Sequence, residues 1–393
     1  MKKFTLILAT VALLAAGCSK TEVVGPQNGK GINFAAYTAK TTKAPQEDVT
    51  TENLENFEVT AFGNGALYFD NVKFEKHTTD NITVWESDTK YFWPAFPLTF
   101  CAYNTPYGYH TDAQKTGFGI NITTEKQELK VYPAGDLANQ EDLVAAYAEH
   151  QKESDATNAG NSLALRFNHY LTQVIVKAKN ARTDIYQVVV KSVKIANMAG
   201  EGTYTFSGNT MTATAETVNT LASADYTATF DPKELTQTAQ EVMTNAGTGK
   251  WYLIPQTVTS WDPNTPFNPR TNSANDSHGT YLALKVKITA NNGTLKIYPA
   301  KDEEFGWMAV PIQVPNPVPN PANQFTFAQG KRYTFTIHFF ANNSAGYVDP
   351  EVPSELDGDP LTKDNGKKII GEIKFNATVD QWDSNNNNIE IYL

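Results

Sequence analysis

Cysteine is nearly absent: Cys18 and Cys101 are the only two in 393 residues. With Cys18 assigned to another role below, no pair is left for an internal disulfide, so stability has to come from buried cores. Histidine is scattered. His77, His110, His150, His169, His278 and His338 include no two at a spacing that would present both imidazoles to one metal. Clusters of Lys or Arg are missing as well, and the formal charge is -10, which argues against nucleic acid and anionic membrane surfaces as partners. There is no Gly-x-Ser-x-Gly elbow, no phosphate-cradling Gly-rich loop and no Cys/His pairing near Cys101, so nucleophilic and phosphoryl chemistry have no visible residues. Asp357, Asp359 and Asp364 form an acidic stretch, but their spacing departs from a calcium loop and the downstream Glu is missing. The expectation is a non-enzymatic chain with no metal and no cofactor. Carboxylate pairs for glycoside hydrolysis, whose spacing is spatial, stay open.

The apolar run at residues 4–16 follows Lys2 and Lys3 and is too short to span a bilayer stably. It leads into Leu14-Ala15-Ala16-Gly17-Cys18, a lipobox in which small residues before a cysteine permit cleavage and acylation of the thiol. Residues 1–18 are therefore read as a lipoprotein signal peptide, with acylated Cys18 joining the mature chain to a lipid bilayer, the outer membrane being expected. The competing reading is an ordinary secretory peptide with an incidental cysteine.

Beyond the leader, 18 Tyr, 21 Phe and many Thr, Asn and Val favour strands joined by polar turns, an all-β chain. Leu282, Leu284, Val286 and Ile288 alternate with polar or small residues, as do Tyr333, Phe335, Ile337 and Phe339, each a strand with one buried face. Residues 57–61, 174–178, 373–379 and 389–393 follow the same period. In residues 188–195 the alternation slips between Val190 and Val193, which predicts a bulge or a change of face. Gly63-Asn64-Gly65, Asn291-Asn292-Gly293 and Asp364-Asn365-Gly366 supply positive-φ hairpin turns. Residues 139–148 read equally as a helix or as a strand after a short turn. Residues 261–278 and 311–323 lack apolar periodicity, and the second, with five prolines, reads as an extended loop. A polar gap at residues 180–184 divides the mature chain into 19–180 and 181–393, each with about seven strands, enough for a two-sheet sandwich. Cys101 and the tryptophans Trp85, Trp93, Trp251 and Trp382 are expected in the cores.

An ordered set of motifs resembles the fimbrillin-like proteins, lipoprotein precursors of Bacteroidales-type (type V) fimbriae. It runs from Cys18 through Ile32-Asn33-Phe34, Thr42-Lys43-Ala44, Trp85, Tyr91-Phe92-Trp93-Pro94 and residues 98–103 to Asp142-Leu143-Val144-Ala145. It continues through Phe167-Asn168-His169 and residues 174–176 to Trp251-Tyr252-Leu253-Ile254-Pro255-Gln256, Gly330-Lys331-Arg332-Tyr333 and Val379-Asp380-Gln381-Trp382. The resemblance implies two tandem transthyretin-like β-sandwiches. It also implies assembly by strand exchange: a protease removes the first strand after a basic residue, and a neighbour's strand fills the groove. Carried onto this chain, residues 31–37 are the placeholder strand, with Ile32, Phe34 and Ala36 facing the core. Lys43-Ala44 is the matching cut, Lys standing where Arg is usual. Ile389, Ile391 and Leu393 form a candidate donor strand. The implied partners are other fimbrial subunits, together with a surface receptor or glycan. The alternative is a non-polymerising surface adhesin or glycan-binding lipoprotein, with Tyr107, Tyr109, Trp261 and Phe267 on its contact loops.

Overall fold

A computed structural model of the chain describes residues 29–38, 49–104, 117–133, 137, 140–213, 223–244, 249–262, 279–290, 292–299, 303–312, 324–341, 346–349, 374–381 and 389–391. Among these the architecture is all-β, in several sheets, with two short 3-10 turns at Glu153–Asp155 and Ala159–Asn161.

The first strands are β1 (Phe34–Thr38), β2 (Asn56–Gly63), β3 (Ala66–Thr79), β4 (Ile82–Glu86) and β5 (Leu98–Tyr103). Next come β6 (Gly117–Ile122), β7 (Gln127–Tyr132), β8 (Val144–Gln151) and β9 (Leu163–His169). Seven of them close into a barrel in the order β1-β4-β3-β2-β5-β8-β9, with β9 returning to β1. Its interior is filled by Phe34, Phe57, Phe74, Trp85, Phe100, Leu165 and Phe167, all at most 2% exposed. The β2–β3 turn uses Asn64 and Gly65, both at positive φ (51° and 73°), as the Gly-Asn-Gly motif predicts. Of the two readings for residues 139–148 the strand is observed, as β8.

The chain continues with β10 (Thr172–Asn180), β11 (Tyr186–Ala199), β12 (Gly202–Thr205), β13 (Thr210–Ala213), β14 (Ser223–Glu234) and β15 (Gln240–Glu241). Then follow β16 (Trp251–Leu253), β17 (Gln256–Thr259), β18 (Tyr281–Ala290), β19 (Leu295–Tyr298) and β20 (Gly306–Pro311). The last are β21 (Gln324–Phe327), β22 (Lys331–Phe339), β23 (Tyr347–Val348), β24 (Lys374–Gln381) and β25 (Ile389–Ile391). One six-stranded sheet has the order β15-β10-β22-β24-β25, with β16 also on β10; the other has β14-β11-β18-β20-β23, with β19 on β18. The two share one hydrophobic cluster, fed by Val174, Val176, Phe335 and Ile337 from the first and Val190, Leu282, Leu284 and Met308 from the second. This is the sandwich geometry that period-two strands demand when one face of each sheet must be buried. The slip at residues 190–193 is a real register shift, lying between Val190 and Ser192 on both neighbours of β11.

A four-stranded sheet, β13-β12-β7-β6, joins strands from early and late in the chain. It covers the outer side of the barrel wall formed by β2, β5 and β8: Tyr204, Phe206, Leu129 and Val131 pack there with Phe62, Cys101, Tyr103 and Ala145. This double cover explains residues 100–103, which are buried on consecutive positions rather than alternate ones. The polar gap at 180–184 is a turn between β10 and β11, held by the bidentate pair of Arg182 with Asp184 at 2.9 and 3.0 Å.

Candidate functional site

Residues 30–38 lie in the barrel wall with hydrogen bonds on both edges. On one edge β1 runs parallel to β9, from Phe34 opposite Leu163 to Thr38 opposite Phe167. Leu163 also donates its amide to the carbonyl of Asn33 at 2.9 Å. On the other edge the contacts are intermittent: Ile32 donates its amide to Tyr91 O at 2.8 Å. Phe34 pairs with Trp85 of β4 in a single antiparallel register position. The strand is thus zipped continuously to β9 and only tacked to β4.

The β1 side chains are buried on both faces except at Tyr37, Ala35 being buried beside the core-facing positions. Ile32, Phe34 and Ala36 are 2%, 0% and 3% exposed, while Tyr37 faces outward and its hydroxyl donates to Asn158 Oδ1 at 3.2 Å. The Phe34 ring is the centre of the barrel interior, edge-on to Phe74 at 4.8 Å and Phe100 at 5.2 Å and tilted against Phe57 at 6.1 Å. Burying such a ring stabilises by roughly 1.5–3 kcal/mol, and each edge-to-face pair adds about 0.5–1.5 kcal/mol. A strand without Phe34 would leave the other rings facing a void.

The end of β1 is clasped. Thr38 donates its amide to Thr51 Oγ1 at 2.9 Å, Thr51 donates its amide to Thr38 Oγ1 at 2.6 Å, and the two hydroxyls lie 3.0 Å apart. The clasp brackets the segment containing Lys43 and Ala44, which themselves lie outside the described residues. Just beyond it, the Val49 amide donates to Asp142 Oδ2 at 3.3 Å, and the same oxygen is 2.7 Å from His169 Nδ1. Asp142 and His169 are both buried, so one pair at the start of β8 and the end of β9 anchors the chain as it leaves the clasp.

Ile389 and Ile391 belong to β25, which pairs antiparallel with β24 over three register positions at the edge of its sheet. Leu393 and Cys18 are outside the described residues. The alternative reading as a surface adhesin places Trp261 on a contact loop; it is 4% exposed, packed on Tyr281 and Tyr347 at 5.5 and 5.6 Å, which speaks against that role for this ring. Tyr107, Tyr109, Phe267 and Trp382 are outside the described residues. Trp85, Trp93, Trp251 and Cys101 are in the cores, as expected. Burial pushes the Cys101 thiol well above its ordinary range, with the Glu149 carboxylate adding to it, so it is held as a neutral apolar group. Among the described residues no group of three or more His, Cys, Asp or Glu is arranged to hold a metal ion. Sequence reasoning missed the Thr38–Thr51 clasp and the Asp142–His169 pair, because both join segments that no local period or spacing connects.

The model of the fimbrillin-like family matches residues 27–352. This chain belongs to that family. A crystal structure of a fimbrial protein from Bacteroides vulgatus ATCC 8482 is similar at a TM-score of 0.51 and 14% identity, covering 89% of this chain and 99% of that one. A candidate cell adhesion protein from Bacteroides eggerthii DSM 20697 has a TM-score of 0.44 and 15% identity, covering 90% of this chain and 97% of that one. Another, from Bacteroides uniformis ATCC 8492, has 0.42 and 14%, covering 91% and 99%. No curated protein matches the fimbrillin-like chain significantly.

Proposed function

We propose that this fimbrillin-like chain is a subunit of a surface fimbrium with a role in adhesion, structural rather than catalytic. It would be exported as a lipoprotein held at the outer membrane through acylated Cys18. In this reading the mature chain is two tandem transthyretin-like sandwiches, nominally residues 19–180 and 181–393, with β10 contributing its ladder to the second. The leading strand is provisional: cleavage between Lys43 and Ala44 frees β1, and a strand of a neighbouring subunit takes over its groove. Ile389, Ile391 and Leu393 are the candidate donor.

The observation that carries the proposal is the setting of β1. It supplies the central ring of the barrel interior through Phe34, yet on one edge it is tacked to β4 at one register position. Withdrawing it would open an apolar channel and expose the edge of β9, which is what a strand of another chain needs for main-chain pairing and side-chain burial. β25 fits the donor role because it is an edge strand, and its departure would leave β24 and β22 paired.

Two measurements test this. The N-terminal residue of protein recovered from cells is expected to be Ala44 in filaments and Cys18 in the membrane-bound precursor. Protein trimmed of residues 18–43 is expected to assemble, while the untrimmed chain stays monomeric. A trimmed chain that remained monomeric and equally heat-stable would end the strand-exchange reading.

A further inference from the structure

The outer face of the sheet containing β11, β18 and β20 carries its own small aromatic cluster, formed by Trp261, Tyr281 and Tyr347 over Ala196, Ala283 and Ala309, with Trp307 against it. Inside it the amine of Lys194 lies 3.1 Å from Asp349 Oδ2. The Asp349 side chain is 1% exposed and that of Lys194 12%. Tyr281 donates its hydroxyl hydrogen to the other oxygen, Asp349 Oδ1, at 2.8 Å. A second carboxylate, Asp225 Oδ2, is 3.6 Å from the same amine. The Tyr281 and Trp307 rings are each 5.5 Å from Lys194 Nζ.

Lys194 and Asp349 do not come from neighbouring strands. Lys194 is opposite Ala283, Ala283 opposite Ala309, and Ala309 opposite Tyr347, two residues before Asp349. The intervening positions on this face are alanines, which leave a low channel along which the lysine stem reaches across two strands. An ion pair buried this deeply is a weak source of stability, because desolvating the charges offsets most of their attraction. An amine, a carboxyl group, a hydrogen-bond donor on one carboxyl oxygen and a second carboxylate on the amine are also the parts of an amide-forming site.

We infer that Lys194 and Asp349 form an intramolecular amide bond that staples β11 to the end of β23. Proton transfer from the Lys194 ammonium to Asp349 gives amine and carboxylic acid. The nitrogen lone pair then attacks Asp349 Cγ while Tyr281 stabilises the charge developing on Oδ1. Asp225 accepts a second proton from the nitrogen and returns it to Oδ2, the Cγ–Oδ2 bond breaks, and that oxygen leaves as water. The products are one secondary amide and one water, with no change of oxidation state. Fixed placement of both partners supplies the high effective concentration that such a condensation needs. The staple would give this chain a covalent brace that its cysteine content does not.

Peptide mapping of the folded full-length protein by tandem mass spectrometry tests the bond. A branched peptide joining Lys194 to Asp349, lighter by one water than the sum of its two parts, is expected in most molecules. It should be absent from Lys194→Met and Asp349→Ala, and Asp225→Asn should reduce the branched fraction at least tenfold. Recovery of both residues only in linear peptides from the folded wild type would overturn the inference, as would an Asp225→Asn protein joined as fully and as fast as wild type, for the role given to Asp225.

Discussion

The tightest constraints in this chain are phenols and rings in the dark. Tyr204 and Tyr226 are fully buried, and burial pushes both phenols, with that of Tyr298, above the ordinary 10.0. In the unfolded chain these phenols ionise near their ordinary value, whereas in the folded one they keep their protons. Above that pH the unfolded state binds fewer protons than the native state, so stability falls as pH rises, by up to about 1.4 kcal/mol per pH unit for each such phenol. A titration followed by tyrosinate absorbance should therefore show a late, steep step coincident with loss of circular dichroism, and these groups should not titrate in the intact fold. Cys101 makes a companion prediction: fully buried and un-ionised, it should resist alkylation in the native protein and react once denaturant is added. At Gly279, with φ at +63°, an added Cβ would lie 2.5 Å from the Thr259 carbonyl oxygen. Gly279→Ala should destabilise by more than about 1 kcal/mol, read as a lowered midpoint in urea.

At the scale of elements, the strands whose large apolar residues all point to one core were the legible ones. The alternation at residues 282–288 and 333–339 maps directly onto β18 and β22, because each has one side on the shared core. Residues 98–103 could be read as apolar but not as doubly covered, since their second cover, the β12–β7 pair, comes from distant sequence. The same limit applies to β1: its burial was legible from Ile32, Phe34 and Ala36, but its parallel partner β9 and the Thr51 clasp were not. The burial of Trp261 was not legible for a related reason. The stretch that begins at Trp261 has no period, yet the ring is held by Tyr281 and Tyr347 from elsewhere in the chain. The element-level prediction concerns the hold on β1. Phe34→Ala should cost about 3–5 kcal/mol and, because β4 grips the strand at one position only, should raise native-state proteolysis near residues 39–48. Thr51→Val removes the two clasp contacts made by the Thr51 hydroxyl, leaving the Thr51 amide on Thr38 Oγ1 and the barrel interior intact. It should increase cleavage in the same segment with a much smaller loss of thermal stability.

For the whole molecule, the sheet β13-β12-β7-β6 decides whether the barrel and the paired six-stranded sheets behave as one body. Tyr204 sits in the cluster that both contribute to, against Tyr170 at 4.0 Å and Phe206 at 4.8 Å. The amide of Tyr252, on the strand side that leads into the second core, donates to Gln140 Oε1 at 2.7 Å. Across such a buried, hydrogen-bonded junction, opening one side exposes apolar surface on the other, so cooperativity should extend through both. Calorimetry of the wild-type chain is expected to give one transition. Tyr204→Ala, by removing roughly 3–5 kcal/mol of packing at the junction, should split it into two. In the filament role proposed above, a junction built as a sheet with strands from both halves of the chain would transmit load through hydrogen bonds in parallel rather than through a single linker. If Tyr204→Ala still melted in one step at an unchanged midpoint, the coupling would have to reside outside this cluster, and the four-stranded sheet would be a cover for the barrel wall rather than the joint of the molecule.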